Sequence, residues 1–144
     1  MNHNDSIPET LPVGEAALST IAMPGDANPA GDIFGGWLLS QMDLAGSIPA
    51  TERAQGRVAT IAIEAIKFHR AVLVGDRVRC YAEVTRVGRT SLTVRIETWV
   101  SRLGVPGMMK VTEGVFTYVA IDGNRRPRPV DAQVPIDAQV PVDA

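Results

Sequence analysis

The stretch from Met23 to Asp43 constrains this chain more than any other. It opens as a loop, because Pro24, Gly25, Asp26, Asn28, Pro29 and Gly31 are turn-forming residues. Asp32 has the side chain of an N-cap, and a helix is expected after it. Phe34, Trp37, Leu38, Met42, Ala45 and Ile48 recur close to the helical period. Gly56 supplies a stop, and Pro49, with no N–H for the Ala45 carbonyl, predicts a kink or a weak last turn. The face opposite Phe34, Leu38 and Ala45 carries Gly36, Ser40, Asp43, Ser47 and Ala50. A solvated helix face normally carries several lysines and glutamates. Between Ile33 and Thr51 the only charge is Asp43. Such a helix is expected to be covered on both sides, with small residues where something packs close. A lone carboxylate there is costly unless it is paired, hydrogen-bonded or used.

After Gly56 the period changes to two. Val58, Thr60, Ala62, Glu64, Ile66 and Phe68 share one parity, and Ala59, Ile61, Ile63, Ala65 and Lys67 the other. Both are largely apolar, which predicts a strand that is central or at an interface. Beyond Gly75-Asp76, Val78, Cys80, Ala82 and Val84 point inward, and Arg77, Arg79, Tyr81, Glu83 and Thr85 outward. Gly88-Arg89 marks a tight hairpin. Leu92, Val94, Ile96, Thr98 and Val100 then face the core, with Arg95, Glu97 and Trp99 outside. Gly104 to Gly107 read as a turn, Met108 to Ile121 as the last strand, and Glu15 to Met23 as a first one. One strand, a long helix and four further strands predict an α+β domain, with an antiparallel sheet wrapped around the helix.

The 144 residues suffice for one domain with a real core. A net charge of −2 gives no support for a nucleic-acid groove or a polybasic membrane patch. The single cysteine, Cys80, suits a reducing compartment. Residues 1–13 lack the basic-then-apolar pattern of a signal peptide, and no apolar run reaches membrane-spanning length. A cytoplasmic protein is therefore expected. Residues 1–13 read as loose and 14–129 as the domain. Residues 130–144, which contain Asp-Ala-Gln-Val-Pro at 131–135 and again at 137–141, read as an extended tail.

Several segments together resemble the YciA-like acyl-CoA thioesterases, a hotdog-fold family. They are Met23-Pro24, Asp26, Asn28, Gly31 to Trp37 and Ser40 to Asp43, then Gly56-Arg57-Val58, Val74-Gly75-Asp76, Val87 to Ser91 and Val115-Phe116-Thr117. The resemblance covers roughly residues 18–129. It implies a hotdog fold, one long central helix wrapped by about five antiparallel strands. It implies hydrolysis of acyl-CoA to a carboxylic acid and coenzyme A, without a cofactor. It also implies dimers with shared sites, often three to a hexamer, and an active-site role at the position of Asp32. Pro49 within the helix, Ala71 where the strand connection often carries proline, and the repeated tail depart from the family pattern.

The residues themselves fit thioester hydrolysis. A leaving thiol with a pKa of about 8.5 departs with little help. The site needs a base or nucleophile for the carbonyl carbon and donors for the developing oxyanion. Asp43 offers the first, and the N–H groups of Gly35 and Gly36 at a helix start offer the second. Gly36 and Asp43 are separated by roughly 10 Å of helix at about 1.5 Å per residue. A reacting carbonyl must lie about 3 Å from both groups. The two must therefore come from different subunits, which predicts a two-fold dimer. Asp32 and Asn28 are candidates to orient water or hold the loop around the acyl group; the alternatives are a simple cap and a simple turn. Arg57, Lys67, Arg70 and Arg89 are candidate phosphate ligands, with Arg89 favoured by the resemblance and Thr90 and Ser91 as added donors. His69 lacks the motif of hotdog dehydratases and reads as structural. Cys80 lies on the core parity, and no histidine or cysteine cluster has metal spacing.

The expected function is acyl-CoA hydrolysis, with Asp43 as base or nucleophile, Gly36 N–H as oxyanion donor and Asp32 as helper. A non-catalytic acyl-CoA-binding protein is one rival, separated by a turnover assay. A hydratase or dehydratase is another, disfavoured because no histidine stands between Asp32 and Asp43.

Overall fold

The computed structural model describes residues 10–131. The strands are β1 (Leu18–Ile21), β2 (Val58–Phe68), β3 (Arg77–Val87), β4 (Ser91–Arg102) and β5 (Val105–Ala120). A one-turn 3₁₀ segment, Pro24–Asp26, and a long helix, α1 (Gly35–Ala54), lie between β1 and β2. The strands form one sheet in the order β1-β3-β4-β5-β2, antiparallel throughout. The helix packs on one face of it, the arrangement expected from the alternation of periods. The inward parity of β3 and β4 is as predicted: Val78, Cys80, Leu92, Val94, Ile96, Thr98 and Val100 are fully buried. Leu38, Met42, Ala45 and Ala50 supply the helix side of this core.

Gly46 sets how closely helix and sheet approach. A Cβ there would overlap the Tyr118 hydroxyl and Ile96. With glycine in place, Tyr118 Oη donates to the Asp43 carbonyl oxygen at 2.8 Å and pins the middle of the helix to β5. The helix runs on to Ala54 through Pro49, so the missing N–H does not end it there. It stops one residue before the expected glycine, at Gln55 in the left-handed region (φ 53°), whose N–H bonds the Thr51 carbonyl. Its buried stripe is Leu38, Met42, Ala45, Gly46, Ala50 and Ala54, while Phe34, Leu44 and Ile48 are exposed. Phe34 and Ile48 thus leave the core stripe that the period assigned them to.

Several other expectations need correction. β2 is an edge strand, not a central one. Its apolar residues stay uncovered in the single chain, with Ile61 58% and Ile63 43% exposed. Trp99 is 1% exposed despite its outward parity, and its indole Nε1 donates to Glu97 Oε1 at 3.0 Å. The last turn is Leu103-Gly104, so Val105 to Gly107 already belong to β5. β1 is shorter than Glu15 to Met23. Val130 is buried with Ala54, Leu92 and Ala120, and Asp131 pairs with Arg53 at 2.7 Å. These contacts tie residues 130 and 131 to the helix end; the rest of the expected tail lies outside the described residues, as does most of 1–13.

β2 carries a bulge between Glu64 and Lys67, with Ala65 at φ 53°. Gly114 on β5 makes room for Ile66, whose Cδ1 occupies the place of a Cβ. A bulge bends its strand and re-aims the side chains beyond it. Here the side chain beyond it is Phe68, whose ring reaches the helix start and lies 3.3 Å from where a Cβ on Gly35 would be.

The loop before β3 is fixed by Asp76, which is 1% exposed. Its Oδ2 accepts from the Leu73 N–H at 2.9 Å and from Arg102 Nη2 at 2.8 Å, and its Oδ1 from Arg102 Nε at 2.9 Å. Burial alone would raise this carboxyl, but the Arg102 and Leu73 hydrogen bonds outweigh it and hold it below its usual range. A depressed carboxyl stabilises the fold above its unfolded value, about 3.9, and loses that contribution as pH falls through the folded value. Asp76→Ala should therefore cost about 3 kcal/mol at neutral pH, the scale for stranding one partner of a buried pair. The gap from the parent in urea midpoint should narrow below about pH 4. A gap that is constant with pH would show that the Asp76 charge contributes nothing to stability.

Candidate active site

The helix begins without a side-chain cap. Phe34, not Asp32, occupies the N-cap position, and no side chain bonds back to the first turn. Leu38 N–H makes the first helical bond, to the Phe34 carbonyl at 3.2 Å. Among the described residues no group accepts from the N–H of Gly35, Gly36 or Trp37. These donors and the positive end of the helix dipole are therefore available to a ligand. Nothing lies within 4 Å of a would-be Cβ on Gly36, so the space above it is open.

The loop ahead of the helix is held by Asn28. Its Oδ1 accepts from the N–H groups of Ala30 and Asp32, at 2.9 and 3.1 Å, and its own N–H donates to the Asp32 carbonyl at 2.6 Å. Asn28 thus makes a turn. The carboxylate of Asp32 is exposed and has no partner among the described residues. Both residues line a cavity of about 400 Å³ at the helix start, together with Gly35. Buried Ile33, Leu38 and Val72 form its apolar wall, and Phe68, His69, Arg70 and Ala71 complete it.

Asp43 does not line that cavity. It is half-buried further along the helix, where Thr60 Oγ1 on β2 donates to its Oδ1 at 2.6 Å. Burial and the neighbouring Asp43 charge both raise the Tyr118 phenol, which stays a neutral donor. The carboxylate is hydrogen-bonded and, among the described residues, forms no salt bridge. Thr60 and Tyr118 are the residues that sequence reasoning missed here. The only signal was a threonine on a largely apolar strand, and nothing in the sequence paired it with position 43.

The proposed phosphate ligands gather at one end of the sheet. Ala120 N–H donates to the Thr90 carbonyl at 2.8 Å, and Ile121 N–H to the Arg57 carbonyl at 3.0 Å. Arg57, Arg89, Thr90 and Ser91 are thus neighbours, on the Asp43–Thr60 side and away from the cavity at the helix start. Lys67 and Arg70 lie at the other end of β2. His69 Nε2 lies 2.7 Å from Glu113 Oε2, and the residue also lines the cavity. The His69 hydrogen bond holds the Glu113 carboxyl below its usual range, with burial opposing and Lys110 assisting. Cys80 is fully buried, and burial raises its thiol to about 11, which removes it as a nucleophile. No helix among the described residues is long and apolar enough to cross a membrane.

Residues 30–105 match the model of the thioesterase superfamily. The acyl-CoA thioester hydrolase YciA of Salmonella typhimurium is 48% identical over 128 residues, covering 87% of this chain and 96% of that protein. A hexameric thioesterase from Yersinia pestis superposes with a TM-score of 0.80 at 49% identity, over 85% of this chain and 100% of that one. A hexameric hotdog-fold thioesterase of Campylobacter jejuni gives 0.77 at 43%, over 81% and 90%. The glycine-started helix, its five-stranded antiparallel sheet and these matches agree: the chain belongs to the thioesterase superfamily, in its hotdog-fold, YciA-like group.

Proposed function

We propose that the protein hydrolyses acyl-CoA thioesters to a carboxylic acid and coenzyme A, at sites shared between two subunits. The observation that carries this reading is the set of unaccepted N–H groups at Gly35, Gly36 and Trp37, at a helix start where Gly35 lines a half-apolar cavity. A thioester carbonyl oxygen placed there meets donors already oriented for the oxyanion. Its acyl chain lies along Ile33, Leu38, Val72 and Phe68. The Asp43 carboxylate of the partner subunit either takes a proton from a water that adds to the carbonyl carbon, with loss of the thiolate, or attacks the carbon itself. The second route expels the thiolate and leaves an acyl anhydride, which water then hydrolyses to the acid and free Asp43. Asp32 at the cavity rim orients the water, and Asn28 holds the loop that presents Asp32.

The dimer is argued from uncovered apolar surface. Edge strand β2 exposes Ile61 and Ile63, and the helix exposes Leu44 and Ile48. An apolar edge of this kind needs covering, and a second copy turned by a two-fold axis covers it with its own β2. That contact also brings the partner's Asp43 to the cavity at the helix start, which Asp43 of the same chain does not line. The hexamers among the relatives support a trimer of such dimers.

Hydrolysis of an acyl-CoA panel, measured as release of free thiol, tests the activity. The protein should turn over several chain lengths, and Phe68→Ala, which widens the cavity, should shift the preference towards longer chains by about tenfold, the scale of one to three kcal/mol for a pocket contact. Binding of acyl-CoA without any thiol release would leave the non-catalytic reading in its place.

A further inference from the structure

The segment that walls the cavity beyond the β2 bulge, residues 68–72, sets one imidazole between apolar Phe68 and Val72 in sequence. That residue, His69, has its backbone anchored without help from the ring. The N–H groups of His69 and Arg70 both donate to the Val111 carbonyl, at 2.7 and 3.4 Å. The ring is held separately, with Nε2 2.7 Å from Glu113 Oε2. Glu113 is fixed in turn, because Lys110 Nζ lies 3.4 Å from its Oε2 and Arg95 Nη2 3.5 Å from its Oε1. Arg95 also pairs with Glu97, whose Oε1 accepts from the buried Trp99 indole at 3.0 Å. A chain of fixed groups thus runs from Trp99 to the His69 ring.

That chain also decides which ring nitrogen carries the proton. The Glu113 carboxyl is held below its usual range by the His69 hydrogen bond, against burial and with help from Lys110. It is therefore ionised at neutral pH and can only accept. Nε2 must be the donor, so a neutral imidazole keeps its lone pair at Nδ1. Among the described residues nothing donates to Nδ1. The side chain is 35% exposed in the single chain, so a ligand can reach it. The other polar side chains of the cavity are in use. Asn28 Oδ1 holds the turn, Arg70 donates to the Lys110 carbonyl, and Asp32 at the rim is the group that orients water.

We infer that His69, oriented by Glu113, makes the cavity select acyl chains that carry a hydroxyl group, whose O–H donates to Nδ1. This selection rests on the thioesterase reading. A hydrocarbon chain lying along Ile33, Leu38, Val72 and Phe68 displaces water from the ring and gives Nδ1 nothing in exchange. A polar atom stripped of water and left unpaired is unfavourable, and a chain whose hydroxyl replaces that water avoids the loss. The lone pair also decides against other substituents. A keto oxygen has no proton to give. A carboxylate on the chain has none either, and it would meet the like charges of Asp32 and the partner's Asp43.

The test uses coenzyme A esters of one chain length, butyryl, 2-hydroxybutyryl and both enantiomers of 3-hydroxybutyryl, with thiol release followed at about pH 8, where imidazole is ordinarily neutral. In the parent, at least one hydroxy ester should exceed butyryl-CoA in kcat/KM. In His69→Leu the ratio of that ester to butyryl-CoA should fall about tenfold, the scale of one hydrogen bond to a group otherwise left unpaired. The two esters should move in opposite directions, butyryl-CoA gaining and the hydroxy ester losing, whereas a damaged fold lowers both. Glu113→Ala frees the ring and should lower the same ratio by a smaller factor, a change that a merely structural role for Glu113 would not produce. Equal ratios in parent and His69→Leu overturn the selection while leaving thioesterase activity standing. A ratio lost in His69→Leu but kept in Glu113→Ala overturns the orienting role of Glu113. A parent that hydrolyses none of the esters overturns the thioesterase reading, and this inference with it.

Discussion

Asp43→Ala should lower kcat/KM for acyl-CoA by about 10³-fold, within the range for removing a positioned general base or nucleophile. The fold should survive. The side chain accepts a hydrogen bond from Thr60 Oγ1, on an exposed residue that water can serve. The Tyr118 hydroxyl donates to the backbone carbonyl of residue 43, which alanine keeps, so the helix stays pinned to β5. Alanine is also the best helix former. Circular dichroism, sedimentation and the urea midpoint should therefore match the parent while turnover collapses. Near-normal turnover in a folded Asp43→Ala protein would remove Asp43 from the chemistry.

The fold was legible where one period dominates. The strict alternation in β3 and β4 assigned Val78, Cys80, Leu92, Val94, Ile96 and Val100 to the core, and all are buried. β2 was ambiguous because apolar residues on both parities describe a central strand and an interface edge equally well. Only the sheet order separates the two. Trp99 was misplaced because parity tells which face a side chain leaves from, not whether that face is covered. The indole is buried all the same, with its N–H satisfied by Glu97 two residues away. Asp32 has good capping chemistry, but its backbone is used in a bridge to Leu73, and the helix starts beyond it, capped by Phe34.

The candidate site was half legible. The uncharged helix face exposed Asp43 as an oddity, and the glycine pair marked the donors. The hydrogen bond from Thr60, 17 residues away in sequence, has no local signature. Nor do the cavity roles of Phe68 and Val72; that of Phe68 depends on a bulge at Ala65 and on the missing side chain of Gly114. The N-cap position shows the same limit from the other side: leaving it without a capping side chain is a local loss in helix stability that frees donors for a ligand.

Within one chain the helix start, with its free N–H groups and cavity, is separate from Asp43, and a shared site requires that they meet across two subunits. Subunit mixing tests this most directly. One chain carries Asp43→Ala. The other carries Gly36→Pro, which deletes an N–H that makes no protein hydrogen bond, at a first-turn position with open space around it. Each homodimer should be nearly inactive, since every site lacks either the carboxylate or the donor. A mixed dimer holds one site with both defects and one with neither. Purified heterodimers, distinguished by two affinity tags, should therefore recover about half the activity of a parent dimer, one intact site of two. Heterodimers that form, stay folded and remain as inactive as the two homodimers would contradict the shared site.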